Sequence, residues 1–574
     1  MIQIRHFITS LIITCTCLSV SAQTVYFSGV GRALFSKENL MDESNLQSKL
    51  KASGGYTMFD LGIWAEPDEV LRANVILRQR TEFGGFFDNG SSLEFRQMQL
   101  EGLIAKKVKY EIGDIYISHT PYTVWNTKFM FNKFESKLFS LRRDIVHYEN
   151  FFIDNKWRMQ GVGAESAIIN IDKVVDTLDL RVYGGRTRQT DFFSIPDRYF
   201  YGGRIGIRKG GFLQLGANFS GLSDIPGTIE DASVSYSNIV VSSDFKLDVL
   251  NSESARLSLM GEAGISNLSL ERELDSIANS FDDSFFDVGF QGEYKPWNIT
   301  FGASFRNVGY NFSSPMAQSR RILGPSALSL TFFPDLNDNL SLRPFTLFDA
   351  FTQETSLYNQ SISPTLMDYY IQYDMTEPYG KATPNRRGVT LNASVESPSE
   401  ILKAHVEANL LNEIVSEGDT LTQAKRSFTK INAGVEIAVN ELIGIKNKMI
   451  LTSGYRFENS SRDGNNNLDL TGSTLDLGLE IEVFKNFYLL GGAKLFNAKG
   501  TEAQSGRDDL NQIIFFSPID LDEEQTIYAA GIHYDFDQKS YFLLQYNQVG
   551  YENLNVENSK LDISQLFIVY GLKF

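Results

Sequence analysis

Beyond residue 23 the chain carries four histidines: His119, His147, His405 and His533. Two of them stand two residues before a carboxylate, His405 before Glu407 and His533 before Asp535. On a strand that spacing puts both side chains on one face, the arrangement an acid/base pair needs. Such pairs arise easily on any polar strand face, and no further catalytic signature joins them. The chain has no His-Glu-x-x-His, no Gly-x-Ser-x-Gly, no phosphate-binding glycine loop and no dinucleotide fingerprint. Asp463-Gly464-Asn465-Asn466-Asn467-Leu468-Asp469 sets oxygen side chains at alternate positions, but it lacks the later bidentate glutamate of a Ca²⁺ loop and reads as a polar turn. Both cysteines, Cys15 and Cys17, fall in the first twenty residues, so a chain that loses its N-terminus holds no disulfide and no thiolate-bound metal. Neither an enzyme nor a cofactor is expected.

Charge on alternate residues is the spacing that recurs. Arg72, Arg78 and Arg80 share the polar phase of one segment, Arg204 and Arg208 that of another, with Arg181 on the segment before it; Asp476, Glu480 and Glu482 share a phase further on. Rows of opposite sign facing each other across a water-filled lumen set a transverse field that selects solutes by charge. The plainer reading is a wall stabilised by ion pairs and solvated charges. Overall, 53 Lys and Arg stand against 70 Asp and Glu, a net charge of -17. That is the wrong sign for a nucleic-acid binder, whose partner demands a basic footprint.

The elements that position these rows read as long strands. In 473–483, Ser473, Leu475, Leu477, Leu479, Ile481 and Val483 occupy one face, and Thr474, Asp476, Gly478, Glu480 and Glu482 the other. The same split runs through 402–410 and 430–439, and again through 212–220 and 255–266. A soluble sandwich also alternates, but these runs are of the length, about 9–11 residues, that crosses a bilayer. Long polar connections alternate with tight ones such as Lys209-Gly210-Gly211, Lys295-Pro296-Trp297, Lys485-Asn486 and Asp537-Gln538-Lys539-Ser540. The expected fold is all-β: a single closed antiparallel transmembrane β-barrel of about 24 strands (22–26), with long extracellular loops and short periplasmic turns.

Arg5, the apolar run Phe7 to Val20 and the small residues Ser21-Ala22 form an export signal, so residues 1–22 are expected to be cleaved and 23–574 to form the barrel. The first strand begins almost at once, at Thr24, which leaves no room for an N-terminal plug of the kind energy-coupled transporters carry. At the other end Leu566, Ile568, Tyr570, Leu572 and Phe574 alternate with Gln565, Phe567, Val569, Gly571 and Lys573. This segment resembles the last strand of bacterial outer-membrane proteins. The resemblance implies that Tyr570 and Phe574 signal to the barrel assembly machinery, and that the chain resides in the Gram-negative outer membrane among its lipid and lipopolysaccharide. The body resembles large outer-membrane β-barrel, porin-like proteins of the Bacteroidota in three features. These are the signal ending Ser-Ala-Gln, the first strand from Thr24 to Phe35, and the segment from Glu377-Pro378-Tyr379-Gly380 to Pro384-Asn385-Arg386-Arg387-Gly388 leading into a strand. Asp176-Thr177-Leu178, Asp275-Ser276-Ile277 and Asp419-Thr420-Leu421 are similar to O-glycosylation sites of that phylum.

So wide a cylinder must be filled, and the long loops 118–155, 353–387 and 499–524 are the material. The first carries Tyr122, Trp125, Phe134, Phe139 and Tyr148 with Arg142 and Arg143; the second carries Tyr369, Tyr373 and Tyr379 with Arg386 and Arg387. Leaving those rings in water costs about 25 cal/mol per Å² of apolar surface, so they pack on the wall, on one another or on a partner. They form either a constriction or docking surface or a self-packed extracellular cap. Two functions fit: a porin-like passive channel for polar solutes, or a non-conducting barrel subunit of an outer-membrane assembly, secretion or surface-lipoprotein complex, docking other outer-membrane proteins or lipoproteins.

Overall fold

The computed structural model describes residues 24–574 except 43–48, 84–90, 127–132, 150–152, 172–174, 191, 194–195, 230–233, 273–276, 318–365, 367–368, 370, 418–423, 465–466 and 509. The expected signal, residues 1–22, lies outside the described residues. Among those described, 22 strands pair in chain order, all antiparallel. The first eleven are β1 (Thr24–Asp42), β2 (Lys49–Asp68), β3 (Leu71–Glu82), β4 (Ser91–Ile104), β5 (Val108–Ile117), β6 (Trp157–Ile171), β7 (Val175–Arg188), β8 (Arg198–Lys209), β9 (Leu213–Asp224), β10 (Ser235–Asn251) and β11 (Ala255–Arg272). The wall continues through β12 (Ile277–Tyr294), β13 (Ile299–Val308), β14 (Arg386–Glu396), β15 (Leu402–Asn412), β16 (Ser427–Ala438), β17 (Met449–Arg462), β18 (Leu468–Phe484), β19 (Phe487–Arg507), β20 (Ile513–Asp535), β21 (Ser540–Asn553) and β22 (Leu561–Lys573). Among the described residues two α-helices join them, α1 (Lys137–Glu149) after β5 and α2 (Val439–Ile443) after β16.

The cylinder closes where β22 pairs with β1, from Val30 opposite Lys573 to Asp42 opposite Leu561. Closure reaches the last residue. The Gly29 N–H donates to the Phe574 carbonyl at 3.0 Å, the Phe574 N–H donates back to Gly29 at 3.1 Å, and the Phe574 ring stacks on Phe59. With both edges joined, every wall strand finds its backbone partners inside the chain.

Period two explains why each strand holds its register, since a one-residue slip turns every side chain to the wrong side. On β18, Leu477 is 40% exposed on the outward face while Thr474 and Asp476 are buried in the lumen. The outward faces of neighbouring strands add Val406, Leu410, Ile431, Leu451 and Tyr455 to one apolar belt. The short connections all fall on one rim. There Gly210 and Gly211 turn the chain at φ 60 and 67°, values a side chain with a Cβ rarely adopts. Above that rim runs a chain of ring contacts, Phe484 to Phe487, Tyr534 to Phe536 and Phe536 to Tyr570, at 4.4, 4.8 and 5.9 Å.

The wall has 22 strands, within the expected 22–26. β13 pairs directly with β14, and residues 318–365 between them lie outside the described residues. The segment 499–524, expected as a loop, is built otherwise. It is the upper part of the hairpin formed by β19 and β20, which outruns its neighbours because pairing with β18 stops at Thr501 and pairing with β21 begins only at Glu523.

Candidate functional site in the barrel lumen

Two connections of the long-loop rim, β5–β6 and β13–β14, fold inward as three stretches, and polar side chains of the wall receive them. The first is α1. Leu138, Leu141, Ile145 and Tyr148 recur at three- and four-residue spacing and form its apolar stripe, and Ser136 Oγ accepts the Leu138 N–H at the N-terminus, 3.3 Å. The stripe lies on a lumenal arc that is itself apolar: Met58 on β2, Leu490 and Phe496 on β19, Ile527 on β20, Leu543 on β21, and Phe567 and Val569 on β22. Each is 5% exposed or less. The lumen is therefore dry along this arc, where period two predicts polar residues, because the helix supplies the matching apolar surface.

Charges fix both ends of α1. At its start, Glu135 is held by Arg143 and by Lys494 of β19, with Asp476 of β18 4.0 Å from the Lys494 ammonium. Lys494 is fully buried. At its end the Tyr148 hydroxyl donates to Asp60, whose carboxylate also takes a two-pronged grip from Arg78 at 2.7 and 2.8 Å. The Arg96 guanidinium sits 4.2 Å over the Tyr148 ring, and Arg142 4.5 Å over Phe567.

The second inward stretch, residues 118–126 with 309–317, lines β5 to β13. Thr120 donates to Glu262 at 2.7 Å, and Tyr122 donates to Asp287 at 2.8 Å while stacking on Phe285. The Trp125 N–H and the Trp157 indole both donate to the Met316 carbonyl, at 2.8 and 2.7 Å. Burial pulls the His119 imidazole down to about 3, helped by Arg181 and Arg204, so it stays neutral at physiological pH.

Residues 371–385 form the third. The Met375 and Thr376 N–H groups donate to Glu458, and Tyr373 packs on Phe496 and accepts from Gln525. Glu377 reaches Arg306 at 2.6 Å, Lys430 at 3.5 Å and the Asn409 amide at 2.9 Å. Burial raises the Glu377 carboxyl, but the Arg306 and Lys430 charges outweigh it and hold it at about 2. A depressed carboxylate gives its full stabilisation above the ordinary glutamate range and loses it as pH falls through the folded value. Amide protection across 371–385 is thus expected to hold from neutral pH down to the ordinary glutamate range and to fall progressively below it. Glu377→Gln should lower that protection already at neutral pH, as hydrogen exchange would show; unchanged exchange in the variant would mean that Glu377 does not hold the segment.

Over the mouth, residues 502–522 of the β19–β20 hairpin rise clear of the wall. Leu510, at the tip, is buried in a cluster with Tyr236 of β10 and Leu268 and Leu270 of β11, and its carbonyl accepts from Asn279 of β12 at 3.4 Å. The hairpin thus straps the mouth from β19–β20 to β10–β12. Its root is tied by Arg426, which reaches Glu413, Glu417 and Glu502 at 2.5, 3.1 and 3.2 Å.

The sequence-predicted residues divide by what holds them. Arg72 pairs with Glu66, Arg80 with Glu82, Arg204 with Asp244, Arg208 with Asp179 and Glu480 with Lys448. Glu482 accepts the backbone N–H groups of Lys448 and Asn486. Arg386 is buried over Phe428 and donates to the Thr376 carbonyl, while the exposed Arg387 lies over Phe305. Tyr570 faces outward. His533 stands 3.4 Å from Asp535, and the His405 ring meets Phe134 edge-on at 5.4 Å. Opposite Arg204, Arg181 donates to the Tyr116 carbonyl. Arg181 and Arg204 border a lumenal cleft of about 600 Å³ that reaches the short-turn rim. Lys107, Lys109, Arg181, Arg204 and Arg208 line it against the carboxylates of Glu165 and Asp179. Phase alone located the arginines. Lys107 and Lys109 escaped it because they sit at and just past a turn, where alternation has barely begun.

No protein-family model matches the chain, and no curated protein matches it. Among solved structures, the ferric citrate transporter FecA in its unliganded form aligns at a TM-score of 0.47 and 8% identity, covering 95% of this chain and 78% of that one. Pseudomonas aeruginosa OccK2 (OpdF) in complex with glucuronate gives 0.34 and 10%, covering 96% and 99%. A BenF-like porin from Pseudomonas fluorescens Pf-5 gives 0.34 and 9%, covering 96% and 100%.

Proposed function

We propose that the protein is an outer-membrane β-barrel that passes small polar solutes passively, with the inward segments setting the width of the path. The export signal at residues 1–22, the outward apolar belt and the joined edges support the membrane reading. The observation that carries the channel reading is the basic cleft. Five cationic side chains line it; Arg204, Arg208 and Lys109 are paired, with Asp244, Asp179 and both Glu101 and Glu111, while Arg181 donates to a carbonyl and keeps a charge that draws anions into the lumen. A non-conducting barrel subunit is the second reading. It is favoured by the fully buried Lys494 and the apolar seat of α1, which suit a permanently filled barrel.

Planar-bilayer recording of the refolded protein, paired with affinity isolation from native membranes, separates the two. Ohmic steps without a stoichiometric partner support the channel. A silent barrel recovered with defined partners supports the subunit. Within the channel reading, Arg204→Glu with Arg208→Glu reverses two of the five cleft cations and sets a second carboxylate against Asp244. The reversal potential in a salt gradient should then move from anion toward cation preference; an unmoved potential would leave both arginines as wall charges.

A further inference from the structure

On the short-turn rim, residues 439–448 between β16 and β17 exceed every other described connection, the next being 397–401. A hairpin needs only two residues there, as Lys485-Asn486 shows. The extra length is built, not slack. The Asn440 carbonyl accepts from the N–H groups of Gly444 and Ile445, and the Asn440 side chain accepts the Met449 N–H at 3.1 Å. The Asn447 amide donates to the carbonyls of Glu482 and Val483 at 3.0 and 2.9 Å, tying the connection to the end of β18. What this frame presents is apolar: Leu442, Ile443 and Ile445 are 61, 58 and 52% exposed. They continue the outward belt, whose lowest members here are Leu451, Val483 and Phe484. Lys446 and Lys448 lie in the same connection and Lys485 in the neighbouring turn, against Glu441 on α2 and, at the end of β18, Glu480, 3.7 Å from Lys448, and Glu482, which accepts the Lys448 N–H.

From this continuity and charge we infer that α2 and the residues after it form a foot that sits in the bilayer interface and binds anionic phospholipid headgroups. Leu442, Ile443 and Ile445 enter the acyl boundary, and the three lysines meet the phosphates. The inference rests on the outer-membrane reading, and its test separates the two.

The chain from Thr24 onward has no cysteine, so single-cysteine labelling is clean. Nitroxide would be attached at Ile443→Cys and, as a control on the outward wall, at Leu451→Cys, with the barrel in vesicles of phosphatidylglycerol and phosphatidylethanolamine. Both labels are expected to collide about ten-fold less with a water-soluble relaxant than a fully exposed label does, the partition that burying one such side chain supports. Lys446→Glu with Lys448→Glu should remove most of the protection at position 443 and leave position 451 unchanged. A label at 443 open to water while 451 stays protected overturns the foot and marks the surface as one for a soluble protein. Protection at 443 that ignores the lysine reversal, or is equal in zwitterionic vesicles, overturns the anionic headgroup. Both labels open to water would overturn the membrane reading itself.

Discussion

Replacing Lys494 with methionine is expected to release α1 from the wall and to raise single-channel conductance several-fold. Lys494 is fully buried, and its ammonium lies between Glu135, at the start of α1, and Asp476 on the neighbouring strand. Methionine keeps the length and removes the charge. The carboxylates of Glu135 and Asp476, each 2% exposed or less, then lose the cation they share. Breaking a buried pair from one side costs about 3–5 kcal/mol, more than the whole pair contributes, because a desolvated charge is left behind. That cost is met most cheaply by moving the residues with the fewest covalent ties. Asp476 is fixed in a 22-strand wall, whereas Glu135 lies in a connection. The helix therefore moves and the wall stays. Hydrogen exchange should rise across 133–149 while β18 and β19 remain protected. Glu135 keeps Arg143 as its cation, so adding Glu135→Gln, which removes the excess negative charge, should recover part of the protection, a coupling a double-mutant cycle reads directly. Unchanged exchange in Lys494→Met would mean that the apolar stripe alone holds α1.

The outward half of the fold was legible because outward-facing residues repeat every second position without regard to what lies inside. In 473–483 one face is Leu, Ile and Val to its end, and that face is the one turned outward. The interior was less legible for two separate reasons. Register pairs residues from different strands, so the phase that placed Arg78 in the lumen could not reveal that its carboxylate is Asp60, opposite it on β2. Helix α1 does carry a signal. Leu138, Leu141, Ile145 and Tyr148 keep a helical spacing, and Phe567 and Val569 put apolar residues on the lumenal phase of the last strand. Those two breaches of a polar interior mark where something dry must cover the wall. The segment 499–524 misleads in the opposite way. Gly500, Gly506 and the Asp508-Asp509 pair suggest a loop, but the flanking residues still find each other across a ladder from Gly506–Phe515 to Thr501–Asp520.

That ladder makes the strap the second place where a small change should have a large effect. Among the described residues the ladder of 502–522 runs only between its own two strands, and a two-stranded ribbon is at best marginally stable in water. Its position must come from side-chain contacts, chiefly at its root and tip, with Arg507 on Glu417 and Phe516 under Arg426 and Arg462 between them. The root is held by Arg426 against Glu413, Glu417 and Glu502, and the tip by Leu510 among Tyr236, Leu268 and Leu270. Leu510→Asp puts a carboxylate into that apolar seat, where an unpaired charge is not tolerated, and also loses the roughly 1.5–3 kcal/mol that burying a leucine provides. The tip is expected to leave β10–β12 while the root holds, so the strap swings up from the mouth and does not unfold the wall. Spin labels at Gln512, beside the tip, and on β11 should separate in a variant that keeps the same thermal transition. If the strap limits the path, conductance rises in Leu510→Asp, and rises again when it is combined with Lys494→Met, because the two act on different obstructions at different depths. Equal conductance in Lys494→Met and in the double variant would place the narrowest point at α1 alone, with the strap a fixture of the rim. A strap that stays docked with aspartate at its tip would show that the Arg426 root and the Asn279 hydrogen bond hold it, not the apolar seat.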